Sequence, residues 1–208
     1  DSLTLAAADN YRIAVKTIPV LDAVAETSVV VPARALNELM RVLADTDDPV
    51  EIVLAQARNQ VLFHLDGVDL VSRLIDGQFP NYQQVVPTSH SSRAVVDRDE
   101  LLKAVRLSAL IAAGAANVLK LRIGEEGSGG ITIAAAADVG DAEGEVEAAL
   151  EGEPVTVAFN ARYLTEALQN VDADRLALEL NGPLSSGVFR PTDDADYVHV
   201  IMPVRTPS

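Results

Sequence analysis

The chain has 208 residues, 49% hydrophobic and 23% charged, a balance that excludes a wholly disordered protein and leaves apolar material for one and a half to two compact units. Sixteen Lys and Arg against 31 Asp and Glu give a formal net charge of −15, which argues against a generic nucleic-acid coat while leaving room for a local basic strip. There is no cysteine, so disulfide frameworks and thiolate metal sites are excluded, and the composition fits a reducing, cytoplasmic compartment. The longest apolar stretch, 107–119, is interrupted by Ser108, Gly114 and Asn117 and is too short to span a bilayer, so no membrane partner is expected.

The chain opens with Asp1 and runs at once into Leu3-Thr4-Leu5-Ala6, which reads as a strand already under way. The expectation is a piece of a longer chain with neither an export nor a targeting leader. Strand signals follow at Ser28–Val31, Val50–Leu54, Gln60–Leu65 and Val68–Ile75, rich in Val, Leu, Ile and Phe between Asp, Gly and Asn turns. A first helix follows Pro32, with Leu36, Leu39, Met40 and Leu43 at the spacing of one buried stripe. Between Val86 and Arg93 the aperiodic run of Pro, Thr, Ser and His reads as a linker. A second helix begins at Asp97, with Glu100 completing a capping-box pattern and Leu101, Leu102 and Val105 turned inward. The stretch 124–130 reads as a hairpin loop before the strand-like Ile131-Thr132-Ile133. A third helix follows Asn160 as N-cap, with Leu164, Ala167, Leu168 and Val171 on its apolar face.

The helices repeat. Val31 to Glu38 aligns with Phe159 to Glu166 at a spacing of 128, and Leu101, Ala104 and Val105 align with Leu164, Ala167 and Leu168 at a spacing of 63. The repeating unit is a strand, a helix and about three strands, an α+β architecture. Residues 93–208 hold two such units, 87–92 form the linker, and 1–86 hold one unit and the tail of another.

Four motifs in order carry a family resemblance: Leu5 to Val15, Ser72 to Tyr82, Ala158 to Leu164, and the ending Tyr197-Val198-His199-Val200-Ile201-Met202-Pro203-Val204-Arg205. Together they resemble the bacterial DNA polymerase III beta subunit, the replicative sliding clamp, over essentially the whole chain. The resemblance implies the DNA clamp fold, with helices lining the interior of a ring and sheets outside. By it, residues 1–86 are an incomplete middle domain and 93–208 the whole C-terminal domain. It also implies a homodimeric ring, when the protein is full length, that encircles duplex DNA without sequence preference as a processivity factor in DNA replication. The implied partners are the DNA polymerase III catalytic subunit, the clamp loader and other proteins with clamp-binding peptides. A ring that holds DNA topologically needs no overall positive charge.

Arg34, Arg41, Lys103, Arg106 and Arg162 lie on the polar faces of the repeated helices, with Glu38 and Glu166 tempering the field. On spacing alone they read as solvated basic residues; the resemblance implies that they line the DNA channel. It further implies a peptide-binding pocket of Tyr11, Arg12, Ile13, Pro80, Gln84, Val85, Asn160, Tyr163, Leu184, Ser186, Val200, Ile201, Met202, Pro203, Val204 and Arg205. Its apolar members would take Leu and Phe of an extended segment, and its Arg and Asn the polar ends. For Ile13, Val85, Val200 and Ile201, spacing alone favours core packing. Leu110 and Ile111 read as continuing core, or by the resemblance as a subunit interface. The chain departs from the family's common residues at Ala8, Asn10, Gln83, Gln84 and Ala116, and Thr206-Pro207-Ser208 extends beyond Arg205. The acidic stretch from Glu125 to Glu153, nine carboxylates without Lys or Arg, reads as a solvated outer surface.

No nucleophile elbow, phosphate-binding Gly loop, dinucleotide fingerprint or zinc helix occurs, and His64, His90 and His199 are dispersed. The expectation is a protein that is not an enzyme and needs no cofactor or metal. The alternatives are a stand-alone peptide-binding module of the same fold without a DNA role, and a hydrolase with an unrecognised carboxylate site.

Overall fold

The computed structural model describes all residues except 23, 44–47, 56–57, 125–128, 138–139 and 207–208. The hairpin tip at 125–128, the carboxylates Glu125, Glu126 and Asp138, and the Pro207-Ser208 end therefore lie outside the described residues. The chain forms two compact units, Asp1–Asp22 with Tyr82–Ser208, and Ala23–Asn81.

The larger unit contains β1 (Ser2–Ala8), β2 (Arg12–Pro19), a 3-10 turn (Tyr82–Gln84), β6 (Ser92–Asp97), α2 (Arg98–Ala112), β7 (Val118–Ile123), β8 (Gly130–Ala137), β9 (Gly140–Gly152), β10 (Val155–Asn160), α3 (Ala161–Asn170), β11 (Arg175–Leu180), β12 (Gly187–Pro191) and β13 (Tyr197–Ile201). The expected unit is thus built twice, as β6-α2-β7-β8-β9 and β10-α3-β11-β12-β13. Its ten strands form one antiparallel sheet in the order β1-β2-β13-β12-β11-β6-β9-β8-β7-β10. Both helices pack on this sheet and against each other. That layer buries Leu101, Val105, Leu119, Leu121, Ile131, Ile133, Phe159, Leu164, Leu168 and Phe189 completely, with Phe159 and Phe189 meeting edge to face.

The caps expected from sequence form. The Asp97 side chain accepts from the Glu100 N–H at 2.9 Å, and the Asn160 side chain accepts from the Arg162 and Tyr163 N–H groups. Strict alternation along β9 leaves Glu143, Glu145, Glu147 and Glu151 exposed while Val146 is buried, so within 141–153 the acidic run is an outer strand face. The linker-like run is pinned at its end. Ser91 N donates to Leu180 O, the Ser92 hydroxyl donates to Glu153 O at 2.6 Å, and Ser92 opens β6.

The smaller unit contains α1 (Ala33–Val42) and the antiparallel sheet β3 (Glu51–Ala55), β4 (Gln60–Leu65) and β5 (Val68–Arg73). Two expectations change here. The strand at 28–31 reduces to one bridge, Val30 to Ile75, and Pro32, which has no N–H, stops the ladder on its C-terminal side. The stripe on α1 is not buried as a whole: Leu36 and Leu39 are half-buried, whereas Met40 is 71% and Leu43 43% exposed. Among the described residues of its unit α1 has a sheet to pack on but no second α-helix, while α2 and α3 pack on one another.

The backbone at two glycines separates strain from crowding. Gly152 has φ +88°, and a Cβ there would lie 1.9 Å from Ser91 O, whereas Gly124 has φ +71° and only ordinary contacts. Gly124→Ala is expected to cost about 1 kcal/mol from left-handed strain alone. Gly152→Ala is expected to cost roughly 3 kcal/mol or more, since backbone must shift as well. Urea unfolding of both variants checks the order.

Candidate functional site

The richest cluster of polar and aromatic contacts forms where β2 meets β13. Antiparallel pairing sets Arg12 opposite Ile201 and Ile13 opposite Val200, and the next N–H, that of Met202, donates to Tyr11 O at 2.7 Å. Just upstream, Asp9 closes an Asx turn, its Oδ1 accepting from Tyr11 N at 2.8 Å and Arg12 N at 3.0 Å. Its Oδ2 accepts from Arg12 Nε at 3.0 Å. From α3, Glu166 Oε2 takes Arg12 Nη1 at 2.6 Å, and the Arg12 guanidinium carbon lies 4.6 Å from the Tyr163 ring centroid. Tyr163 in turn stacks on Tyr11, with centroids 5.7 Å apart.

The carried-over pocket residues distribute around this cluster. Tyr11, Arg12, Asn160 and Tyr163 share it through the contacts above. The Ser186 hydroxyl lies 3.7 Å from Met202 Sδ, Val204 N donates to Ala158 O at 2.8 Å, and Pro203 between them is half-buried. Tyr11 and Met202 are 53% and 47% exposed, and Leu184, in the connection between β11 and β12, is 66% exposed. Arg205 is exposed at the end of the run. Ile13, Val200 and Ile201 are buried; Ile13 and Val200 pair on one face of the strands, and Arg12 and Ile201 on the other. Gln84 and Val85 are exposed at and after the 3-10 turn, and Pro80 belongs to the smaller unit.

The basic candidates are exposed, and two are already paired. Arg41 donates to Glu38 at 2.8 Å and Arg162 to Glu166 at 2.7 Å. Arg34 and Arg41 lie on α1 of the smaller unit; Lys103 and Arg106 on α2 and Arg162 on α3 belong to the larger one. Lys103 borders an open groove of about 600 Å³ between α2 and β9, which Glu100, Leu107, Ser108 and residues 142–147 also line. Of the expected interface pair, Leu110 is 74% exposed while Ile111 packs against the core. Among the described residues no group of three or more His, Asp or Glu could hold a metal ion.

Electrostatics hold the cluster charged. Hydrogen bonds from Arg162 and Arg12 keep the Glu166 carboxyl below the usual carboxylate range. Partial burial works to raise the Asp9 carboxyl, but the Tyr11 and Arg12 donors outweigh it and the net shift is downward. Asp9 and His199 were missed as part of this site. The Asp-Asn pair between two strand signals was the available clue for Asp9; nothing in the spacing marks His199. His199 is 7% exposed. Its Nδ1 lies 3.2 Å from the Tyr197 hydroxyl, and its Nε2 has no partner among the described residues. Burial and then the Arg12 charge lower its pKa to about 4.

Family models match this chain in two consecutive blocks: the DNA polymerase III beta subunit central domain over residues 1–81 and the C-terminal domain over 83–205. The chain belongs to the DNA polymerase III beta subunit family. Proteins named Beta sliding clamp from Staphylococcus epidermidis and Staphylococcus aureus are each 29% identical over 99% of this chain and 54% of their own length. The chain thus spans about half the length of these relatives. The Bacillus subtilis DNA polymerase sliding clamp superposes with a TM-score of 0.91 at 28% identity, covering 99% of this chain and 54% of its own. The Pseudomonas aeruginosa DNA polymerase III subunit beta gives 0.90 at 27%, covering 99% and 56%. The clamp fold implied by the four motifs, with which the α+β repeat agrees, is the fold of this beta subunit family member.

A buried neutral histidine makes stability depend on acid. The His199 pKa is about 4 in the folded chain against an ordinary 6.5, so the unfolded state binds the proton first. Its contribution is constant above about pH 6.5 and falls by about 3 kcal/mol as pH drops to about 4. Urea unfolding across that window should show a steeper loss for the parent chain than for His199→Phe. Asp9 and Glu166, with lowered pKa values, begin to lose their contributions as pH falls through their ordinary values of 3.8 and 4.5, equally in parent and variant, so the difference between the two isolates His199.

Proposed function

We propose that this chain supplies the central and C-terminal domains of a DNA sliding clamp, with 1–86 as the remainder of the central domain, 87–92 as linker and 93–208 as the C-terminal domain. The observation that carries the reading is the consecutive match to both beta subunit domain models, from residue 1 to residue 205. In the complete protein a homodimeric ring encircles duplex DNA and acts as a processivity factor. The chain performs no bond-making chemistry: it tethers the DNA polymerase III catalytic subunit, the clamp loader and other partners through peptides that enter the groove at Tyr11, Tyr163, Leu184 and Met202. The work is done in the cytoplasm, where chromosomal DNA is accessible.

The groove suits an extended apolar segment. Tyr11, Leu184 and Met202 offer apolar surface at the end of paired strands, and Arg12 and Asn160 stand beside them for polar ends. Retention by encirclement also fits the charge balance. A net charge of −15, with Arg41 and Arg162 already paired with Glu38 and Glu166, tempers the phosphate attraction of α1 and α3, and the exposed Lys103 and Arg106 add only a few contacts on α2.

A synthetic peptide with a Gln-x-x-Leu-Phe pattern is expected to bind the chain with a Kd on the order of micromolar, about −8 kcal/mol. Met202→Asp should weaken it at least roughly tenfold by placing a charge under the incoming apolar side chain. Calorimetry reads both, and unchanged affinity in the variant would sink the groove assignment. For DNA, the 208-residue chain is expected to bind linear duplex poorly at physiological salt, because attraction without encirclement is weak. Tight, sequence-selective binding in a fluorescence anisotropy titration would point to base readout instead.

A further inference from the structure

Glu166 is one carboxylate between two guanidiniums. Its Oε2 lies 2.6 Å from Arg12 Nη1 and its Oε1 2.7 Å from Arg162 Nε. Arg12 is the inner member, with 22% of its side chain exposed, and Arg162 the outer one, with 76% exposed. Arg12 is held from three directions: Asp9 takes Nε, Glu166 takes Nη1, and the Tyr163 ring lies beneath the guanidinium. Tyr163 and Glu166 stand three residues apart on α3, on neighbouring positions of one helix face.

We infer that Glu166, steadied by Arg162, is a positioning residue for the peptide groove: it fixes Arg12 over Tyr163 and so presets the Tyr11–Tyr163 stack against which a bound peptide packs. This rests on the groove reading above. The physical reason is ordering. A free arginine samples many rotamers, and its immobilisation would otherwise oppose binding; pairing it beforehand removes that cost from the binding step. Arg162 thereby acts with the groove through its Nε, while its two Nη groups lie outside this pair and remain donors for solvent or phosphate.

The two outer members of this chain of contacts allow a decisive comparison, because removing them shifts net charge in opposite senses. Glu166→Gln removes a negative charge and Arg162→Ala a positive one. If peptide affinity answered only to long-range charge, the two variants would move it in opposite directions. Positioning moves both the same way.

Calorimetry with the Gln-x-x-Leu-Phe peptide and the 208-residue chain is expected to show roughly three- to tenfold weaker binding for Glu166→Gln and roughly two- to threefold for Arg162→Ala. The double variant should bind no worse than Glu166→Gln alone, as both act through one pair. Arg175→Ala, which removes an exposed charge elsewhere on β11, is the control and should bind as the parent does. Arg162 is exposed enough that its truncation leaves the fold intact, which urea unfolding verifies, so the test stands even if Glu166→Gln is destabilised. A parent chain that fails to bind the peptide overturns the groove reading and this inference with it. A parent that binds, with both single variants unchanged or shifted oppositely, overturns the inference alone.

Discussion

The pairing of β2 with β13 is the constraint on which the candidate groove depends. Residues 1–22 and 197–201 are far apart in sequence, yet their register sets Arg12 against Ile201 and brings Met202 N to Tyr11 O. A slip of one residue would exchange the two faces of β2, sending the buried Ile13 and Val15 outward and turning Arg12 away from Tyr163 and Glu166. The alternation of apolar and polar residues along Arg12-Ile13-Ala14-Val15-Lys16 therefore does more than bury a strand. It decides which side of the sheet carries the guanidinium.

Charge is handled locally. A chain of net charge −15 pairs several of its arginines with acidic neighbours: Arg12 with Asp9 and Glu166, Arg41 with Glu38, Arg122 with Glu143, and Arg190 with Glu179. The carboxylates left over are placed by strand periodicity on the outer face of β9. A surface of this kind holds many of its cations in pairs, and those outside them, such as Lys103 and Arg106 on α2, are too few for more than weak, salt-sensitive attraction to a polyanion. It also gives individual pairs structural duties, as in the chain from Arg162 through Glu166 to Arg12.

Local signals in the sequence determined much of this protein. Helix starts were legible at Asp97 and Asn160 because a capping side chain acts within three residues. The strand-helix-three-strand repeat was legible because equivalent core positions recur at 63 and 128 residues, and the four ordered motifs were enough to bring out the family. Burial on α1 was not legible, because the spacing of Leu36, Leu39, Met40 and Leu43 says which face is apolar and not whether a second helix covers it. The tertiary structure alone decided that residues 1–22 join the sheet of residues 82–208, that Asp9 and Glu166 share Arg12, and that His199 is buried with an open ring nitrogen. Those facts depend on strand pairing across more than 180 residues and on a helix laid over the pair, and no periodicity within a short window encodes either.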